Sequence, residues 1–176
     1  EDNQQGTYLW SLGISITAIF VAICSPILGA LADAGGYRKL FLMFFSYLCI
    51  CSTFLLYFFE PDQLFQLSVY FKNNAIFGFD LDVALLALIV FVIANIGFEF
   101  GTVFCNSYLT DLANNKNMGK ISGYAWGLGF LGGLISLAIS FLCLDLEQID
   151  NIRLINLIVA IWFFIFTIPV FLFLKD

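Results

Sequence analysis

One acidic side chain lies deep within an apolar stretch of this sequence, with three polar side chains at helical spacing around it. The four follow one another at i, i+4, i+7 and i+11, which places them on one stripe of a helix. They are Asn95, Glu99, Thr102 and Asn106. A carboxylate there costs about 2.5 kcal/mol or more to insert into a membrane, so it should face a bundle interior or water. It can bind an ammonium group or carry a proton. The alternative is a cluster of interhelical hydrogen bonds near the end of the helix.

A second group of charges interrupts the apolar sequence at GALADAGGYRKL, residues 29–40. Two adjacent glycines supply backbone freedom for a tight turn. Arg38 and Lys39 can pair with an acid such as Asp111. The alternative is a solvated basic flank of a membrane helix.

Membrane helices must position these residues, because 61% of the chain is hydrophobic and 11% is charged, against roughly 25% charge in a soluble domain. Five near-continuous apolar runs each approach the roughly 20 residues that cross a bilayer as a helix. They cover about residues 8–32, 40–59, 83–105, 121–144 and 154–174. Backbone groups in lipid must be paired within the segment, and the runs lack the alternation of barrel strands. The sequence therefore predicts an all-α membrane protein with five transmembrane helices in a lipid bilayer.

The basic residues orient these helices. If the helices alternate, five of the seven Lys and Arg residues lie on the side of 33–39, 106–120 and the C-terminus. The positive-inside rule makes that side cytoplasmic and places 1–7, 60–82 and 145–153 outside. Acids are concentrated on the outer side, and we interpret the net charge of −6 as solvated loops. The aromatic residues of 60–82 favour a segment lying at the headgroup level.

Several classes of function lack support in this composition. The chain contains no His, and its five cysteines all fall inside the apolar runs, as packing residues do. No pair of a nucleophile and a base is visible, so we expect neither an enzyme, nor a metal or cofactor site, nor a nucleic-acid partner.

The fourth apolar run is rich in glycine at two G-x-x-x-G spacings. These are formed by Gly123 with Gly127 and by Gly129 with Gly133. Glycines at this spacing allow another helix backbone to approach closely. The contact is either one that slides during a conformational change or static packing.

Residues of the 29–40 stretch resemble the signature G-x-L-A-D-R-x-G-R-R-x-L between the second and third helices of the major facilitator superfamily. The matching residues are Gly29, Leu31, Ala32, Asp33, Gly36, Arg38 and Leu40. Ala34 and Tyr37 stand where that signature has bases. In addition, FCNSYLTDLA at 104–113 and GKISGYAWGLGFLGG at 119–133 resemble the bacterial branch related to the vacuolar amino-acid effluxers of fungal autophagy. Thr110 stands where that pattern has proline.

The resemblance implies that the five helices are helices two to six of an N-terminal six-helix half. The first helix and the C-terminal half of the same polypeptide would be its partners, in agreement with a start at Glu1 and an odd helix count. It also implies that Asp33 and its neighbours latch the halves in an outward-facing state. Asp33 would cap or pair with a helix N-terminus of the partner half, where the helix dipole favours an acid.

The function implied is secondary transport by alternating access in the bacterial inner membrane. The substrate would be a small polar metabolite such as an amino acid, with or without a coupling proton. The alternative is a non-transporting membrane scaffold or receptor built on a transporter half.

Overall fold

The computed structural model describes residues 2–59, 83–114, 116–144 and 149–174, and these ranges are helical with no strand. Five of the helices are long and apolar enough to cross a membrane, which confirms the predicted all-α membrane fold. A sixth, of four residues, follows the third long helix. The helices of the described ranges are α1 (Asp2–Gly35), α2 (Arg38–Leu56), α3 (Val83–Ser107), α4 (Leu109–Leu112), α5 (Met118–Cys143) and α6 (Ile149–Phe173).

Helix ends differ by a few residues from the apolar runs that predicted them. The largest difference is at α1, which begins at Asp2 and continues to Gly35, because a helix propagates past its apolar segment until the backbone is interrupted. The interruption is Gly36, whose φ of 66° is left-handed. The N–H of Tyr37 then donates to the C=O of Ala32 at 3.0 Å, which is a Schellman C-cap. The predicted interfacial segment at 60–82 and residues 145–148 of the outer loop lie outside the described residues.

Phenylalanine rings form the core between α2 and α3. The ring centroids of Phe45 and Phe100 are 4.7 Å apart, and those of Phe41 and Phe104 are 5.2 Å apart. Phe100 and Phe104 are each 1% exposed. Lipid tails are as apolar as these side chains, so in a bilayer the contact is stabilised by close packing rather than by exclusion of water.

The backbones of α2 and α3 approach most closely at Gly97. A Cβ atom built on Gly97 would lie 2.8 Å from the backbone nitrogen of Cys49 and 2.9 Å from the backbone oxygen of Phe45. One turn later on α3, a Cβ on Gly101 would meet the hydroxyl of Ser46 at 3.8 Å, which is ordinary contact. The crossing of the two helices therefore requires glycine at position 97.

The remaining long helices are arranged around this pair. α1 lies against α3, where Trp10 stacks on Phe91 with centroids 4.1 Å apart. α6 lies antiparallel to α2 and is bonded to it at both ends. At one end Lys39 donates to the backbone oxygen of Leu174, and at the other Arg153 donates to that of Tyr57. We call these the Arg38 end and the Arg153 end of the bundle, after the charged residue at each.

α5 is the most peripheral long helix of the described chain. Its contacts are few and are made with α6 and α4. Large apolar side chains such as Trp126 and Leu142 are more than half exposed along it. This surface is suited to lipid or to further protein.

We expect Gly97→Ala to lower the melting temperature of the full-length protein in detergent, followed by tryptophan fluorescence. The added methyl group must displace backbone atoms of α2, and overpacking of this kind costs about 1–3 kcal/mol. Gly101→Ala is the matched control, because its methyl group meets one hydroxyl at van der Waals distance. Equal melting temperatures for the two variants would contradict the close crossing.

Candidate functional site

A cluster of three charges lies at the Arg38 end. Arg38 Nη1 donates to Oδ2 of Asp111 at 2.8 Å, and its Nε lies 3.3 Å from Oδ1 of Asp33. The guanidinium carbon is 5.8 Å from the ring centroid of Tyr108, within cation–π range. The pairing of Arg38 with Asp111, inferred from their location on one side of the membrane, is present in the structure. The cluster links the end of α1, the start of α2 and α4.

The local sequence explains how Arg38 reaches both acids. Only two residues separate α1 from α2, and a side chain at Gly35 would run into the ring of Tyr37. The turn therefore holds Arg38 in the first turn of α2, next to the last turn of α1. A base is disfavoured by the dipole at a helix N-terminus, and the two neighbouring carboxylates offset this effect.

The cluster is too exposed to anchor the fold. The side chains of Asp33, Asp111 and Arg38 are 68%, 54% and 31% exposed. Ion pairs with this exposure contribute about 0–1 kcal/mol each. Interactions of that size can break and reform during a conformational change at little cost.

The other residues of the resembled signature add no charge to this cluster. Gly29 lies within α1, and a Cβ there would meet nothing within 4 Å. Ala34 and Tyr37, at the positions of the expected bases, are exposed. The role of the stretch as a latch remains a prediction.

α3 carries the polar stripe on the side roughly opposite its buried face. At 100° per residue, Gly97, Phe100 and Phe104 define the buried face. Glu99 and Asn106 are exposed on the other side. No hydrogen bond or ion pair to the Glu99 carboxylate occurs within the described parts of the chain.

The four stripe residues do not share either of the two cavities that border α3 in the described parts of the chain. Asn95 lines a cavity of about 640 Å³ between α2, α3, α5 and α6. Thr102 lines a smaller one of about 210 Å³ between α2, α3 and α6, and its hydroxyl donates to the backbone oxygen of Phe98 at 3.0 Å. Glu99 and Asn106 line neither cavity. The stripe is divided between two open cavities between the helices, which Asn95 and Thr102 line, and the exposed surface at Glu99 and Asn106.

The glycines of α5 do not meet another backbone among the described residues. A Cβ on any of the four at G-x-x-x-G spacing would find nothing within 4 Å. These are Gly123, Gly127, Gly129 and Gly133. Helix packing at these glycines remains a prediction that concerns parts of the protein beyond the described residues.

Sequence reasoning missed two features that matter here. Gly97 and Gly101 have the same G-x-x-x-G spacing as the glycines of α5. This segment was interpreted from the charge of Glu99, which lies between them, and its glycines were not recognised as a packing site. Asn156 lines the larger cavity together with Asn95. The sequence feature that could have identified Asn156 is an amide side chain within the last apolar run. No group of side chains suited to a metal ion occurs among the described residues.

Comparison with known proteins points to one family. The family model described as vacuole effluxer Atg22 like matches residues 7–119. An uncharacterized MFS-type transporter, YxiO of Bacillus subtilis (strain 168), is 30% identical over 173 residues, which are 94% of this chain and 36% of that protein. The chain thus spans about a third of the length of this curated relative. No solved structure matches.

The Arg38–Asp111 pair is tested by a double-mutant cycle with Arg38→Gln and Asp111→Asn in the full-length protein. Once Arg38→Gln has removed the 2.8 Å contact, Asp111→Asn should be nearly silent, whereas Arg38→Gln in the Asp111→Asn variant still removes the contact with Asp33. We expect a coupling of about 0.3–1 kcal/mol, which weakens as salt is added. Melting temperatures at low and high salt measure it. Additive effects of the two changes at low salt would show that the pair does not form.

Proposed function

Since the chain belongs to the vacuole effluxer Atg22-like family, we propose that it is part of a secondary transporter that moves a small polar metabolite by alternating access. The long helices α1, α2, α3, α5 and α6 correspond in this proposal to helices two to six of an N-terminal half. A preceding helix and a C-terminal half complete the protein. Substrate binds between the two halves, as in transporters built from structural repeats.

The observation that carries the proposal is the exposed, unpaired carboxylate of Glu99 within the described chain. Glu99 lies about 12 Å along the axis from the end of α3, since each residue adds about 1.5 Å. A charge at that depth is tolerated where it meets water or a partner of opposite charge. The buried face of α3 is occupied by α2. α1 contacts α3 at Leu88 and Val92, about two to three turns before Glu99. The exposed side chain of Glu99 can line a water-filled pathway completed by the second half.

The chemistry of this face suits a small polar substrate. A carboxylate binds an ammonium group directly, and the opposite charges attract strongly where the dielectric constant is low. The same carboxylate can exchange a proton with water in the pathway. An amino acid supplies the ammonium group, which is why amino acids are the substrate class we propose.

The Arg38 cluster is suited to opening and closing the Arg38 end of the bundle during transport. It joins α1, α2 and α4 through exposed contacts that are individually weak. In the proposed transporter these contacts close the Arg38 end in the outward-facing state and loosen in the inward-facing state. The positive-inside rule places this end in the cytoplasm.

Glu99→Gln separates the possible roles of the carboxylate. The amide keeps the shape and hydrogen bonding of Glu99 but neither titrates nor carries charge. If Glu99 carries a coupling proton, accumulation driven by a pH gradient should be lost while downhill exchange is retained. If it binds an ammonium group, both should fall together.

The measurement is uptake of radiolabelled amino acids by proteoliposomes of the full-length protein, with and without a pH gradient. Glu99→Asp is the control variant, because it keeps the carboxylate and should keep gradient-driven uptake. Uptake by Glu99→Gln equal to that of the unaltered protein in every condition would contradict the role of this face.

A further inference from the structure

The backbone hydrogen bonding changes at Tyr108, between α3 and the four-residue helix α4. In a regular α-helix the N–H of Tyr108 would donate to the C=O of Phe104, four residues earlier. It donates to the C=O of Cys105 at 3.3 Å, three residues earlier, and the N–H of Asp111 donates to the C=O of Tyr108 at 3.1 Å. The φ of −73° and ψ of −13° at Tyr108 are close to those of a 3₁₀-helix. A tight turn of this kind within a helical segment is where a hinge can form.

Two hydroxyl groups occupy carbonyls on either side of this break. The hydroxyl of Ser107 donates to the C=O of Phe104 at 2.7 Å. That of Thr110 donates to the C=O of Ser107 at 2.9 Å. In a continuous helix these two carbonyls accept the N–H groups of Tyr108 and Asp111. Hydroxyl donors in this position compete with the backbone, weaken the helix and bend it.

The break lies where the packed core ends. Tyr108 is 5% exposed and belongs to the core that contains Phe100 and Phe104. None of the four described residues of α4 belongs to this core. α4 contacts α2 through the ion pair of Asp111 with Arg38, which is weak because both side chains are partly exposed. The helix is thus anchored up to Tyr108 and is held to α2 beyond it by a contact that breaks easily.

A second joint lies at the other end of α4. Ala113 has an extended backbone, with φ −121° and ψ 144°. The chain then turns towards α5, where the N–H of Asn114 donates to Oδ1 of Asn117 at 2.6 Å. A short helix with a joint at each end can tilt while the two membrane helices beside it keep their positions.

We propose that the break at Tyr108 is a hinge on which α4 swings, so that Asp111 leaves and rejoins Arg38 while α3 stays in place. Asp33 stays beside Arg38, because only two residues join α1 to α2. Asp111 is therefore the moving acid of the charge cluster. The use of the hinge to open the Arg38 end rests on the transport function proposed above. The hinge itself is a property of the backbone.

Distances between pairs of nitroxide labels test the hinge in the full-length protein freed of its other native cysteines. One pair joins Ile89→Cys on α3 to Leu112→Cys on α4, and the matched pair joins Ile89→Cys to the native Cys105. All three positions are exposed in the described chain. In a continuous helix the pairs would be about 35 Å and about 24 Å apart. Double electron–electron resonance should show two distances for the pair across the break and one for the matched pair.

Substitutions at the hinge should change these distances selectively. Asp111→Asn weakens the ion pair and should shift the pair across the break towards its second distance, with no change in the matched pair. Ser107→Ala together with Thr110→Ala should remove the second distance, because alanine leaves both carbonyls to the backbone and favours a continuous helix. Thr110→Pro should keep both distances, because proline has no N–H with which to continue the helix.

A single distance across the break, in the unaltered protein and in Asp111→Asn alike, would overturn the hinge. Equal shifts of both pairs in Asp111→Asn would show that α3 itself moves and would also overturn it. These two comparisons decide even if the double alanine variant fails to fold. The distances require no transport. Two distances in a protein that takes up no amino acid would therefore support the hinge and contradict the proposed substrate class.

Discussion

The close crossing of α2 and α3 at Gly97 is the contact on which the rest of this structure depends. The two backbones are so close that a methyl group on Gly97 would collide with backbone atoms of α2. In a bilayer, where water is absent from both sides of the contact, such proximity is the main source of helix association. The phenylalanine rings around Phe45 and Phe100 pack because the backbones have met. α1 and α6 then lie on the outer sides of this pair.

The crossing also determines where the functional side chains lie. α2 covers one face of α3, and α1 covers Leu88 and Val92 in its first three turns, so Glu99 and Asn106 further along the helix remain exposed. The end of α3 brings Asp111 to the start of α2. Asp111 thereby reaches Arg38 at 2.8 Å. One helix thus provides the packing surface, the intramembrane acid and, through α4, a member of the charge cluster. A change in the position of α3 would therefore move both Glu99 and the charge cluster at Arg38.

The sequence was sufficient for the five helices, because length and hydropathy decide whether a segment can span a bilayer. It also placed Arg38 and Asp111 on one side, since the helices alternate, but it could not decide between their pairing and a solvated basic flank; the structure shows the pair. The sequence could not show which glycines lie at a close contact between two helices. Spacing is the same at 97 and 101 as at 129 and 133, and which pair meets a backbone depends on tertiary arrangement. The sequence also could not show that Asn95 lines a cavity and Glu99 does not, because neighbouring residues on other helices decide which side chain lines a cavity.

In the proposed transporter the polar Glu99 face of α3 meets water, whereas the exposed apolar surface of other helices meets lipid. Reaction of single cysteines with a charged, membrane-impermeant thiol reagent tests it in the full-length protein freed of its native cysteines. Glu99→Cys and Asn106→Cys should react. Ile165→Cys on the apolar outer face of α6, at a residue 53% exposed in this chain, should not. If the two positions on α3 are as unreactive as that on α6, the face is buried in protein or lipid and the account is wrong.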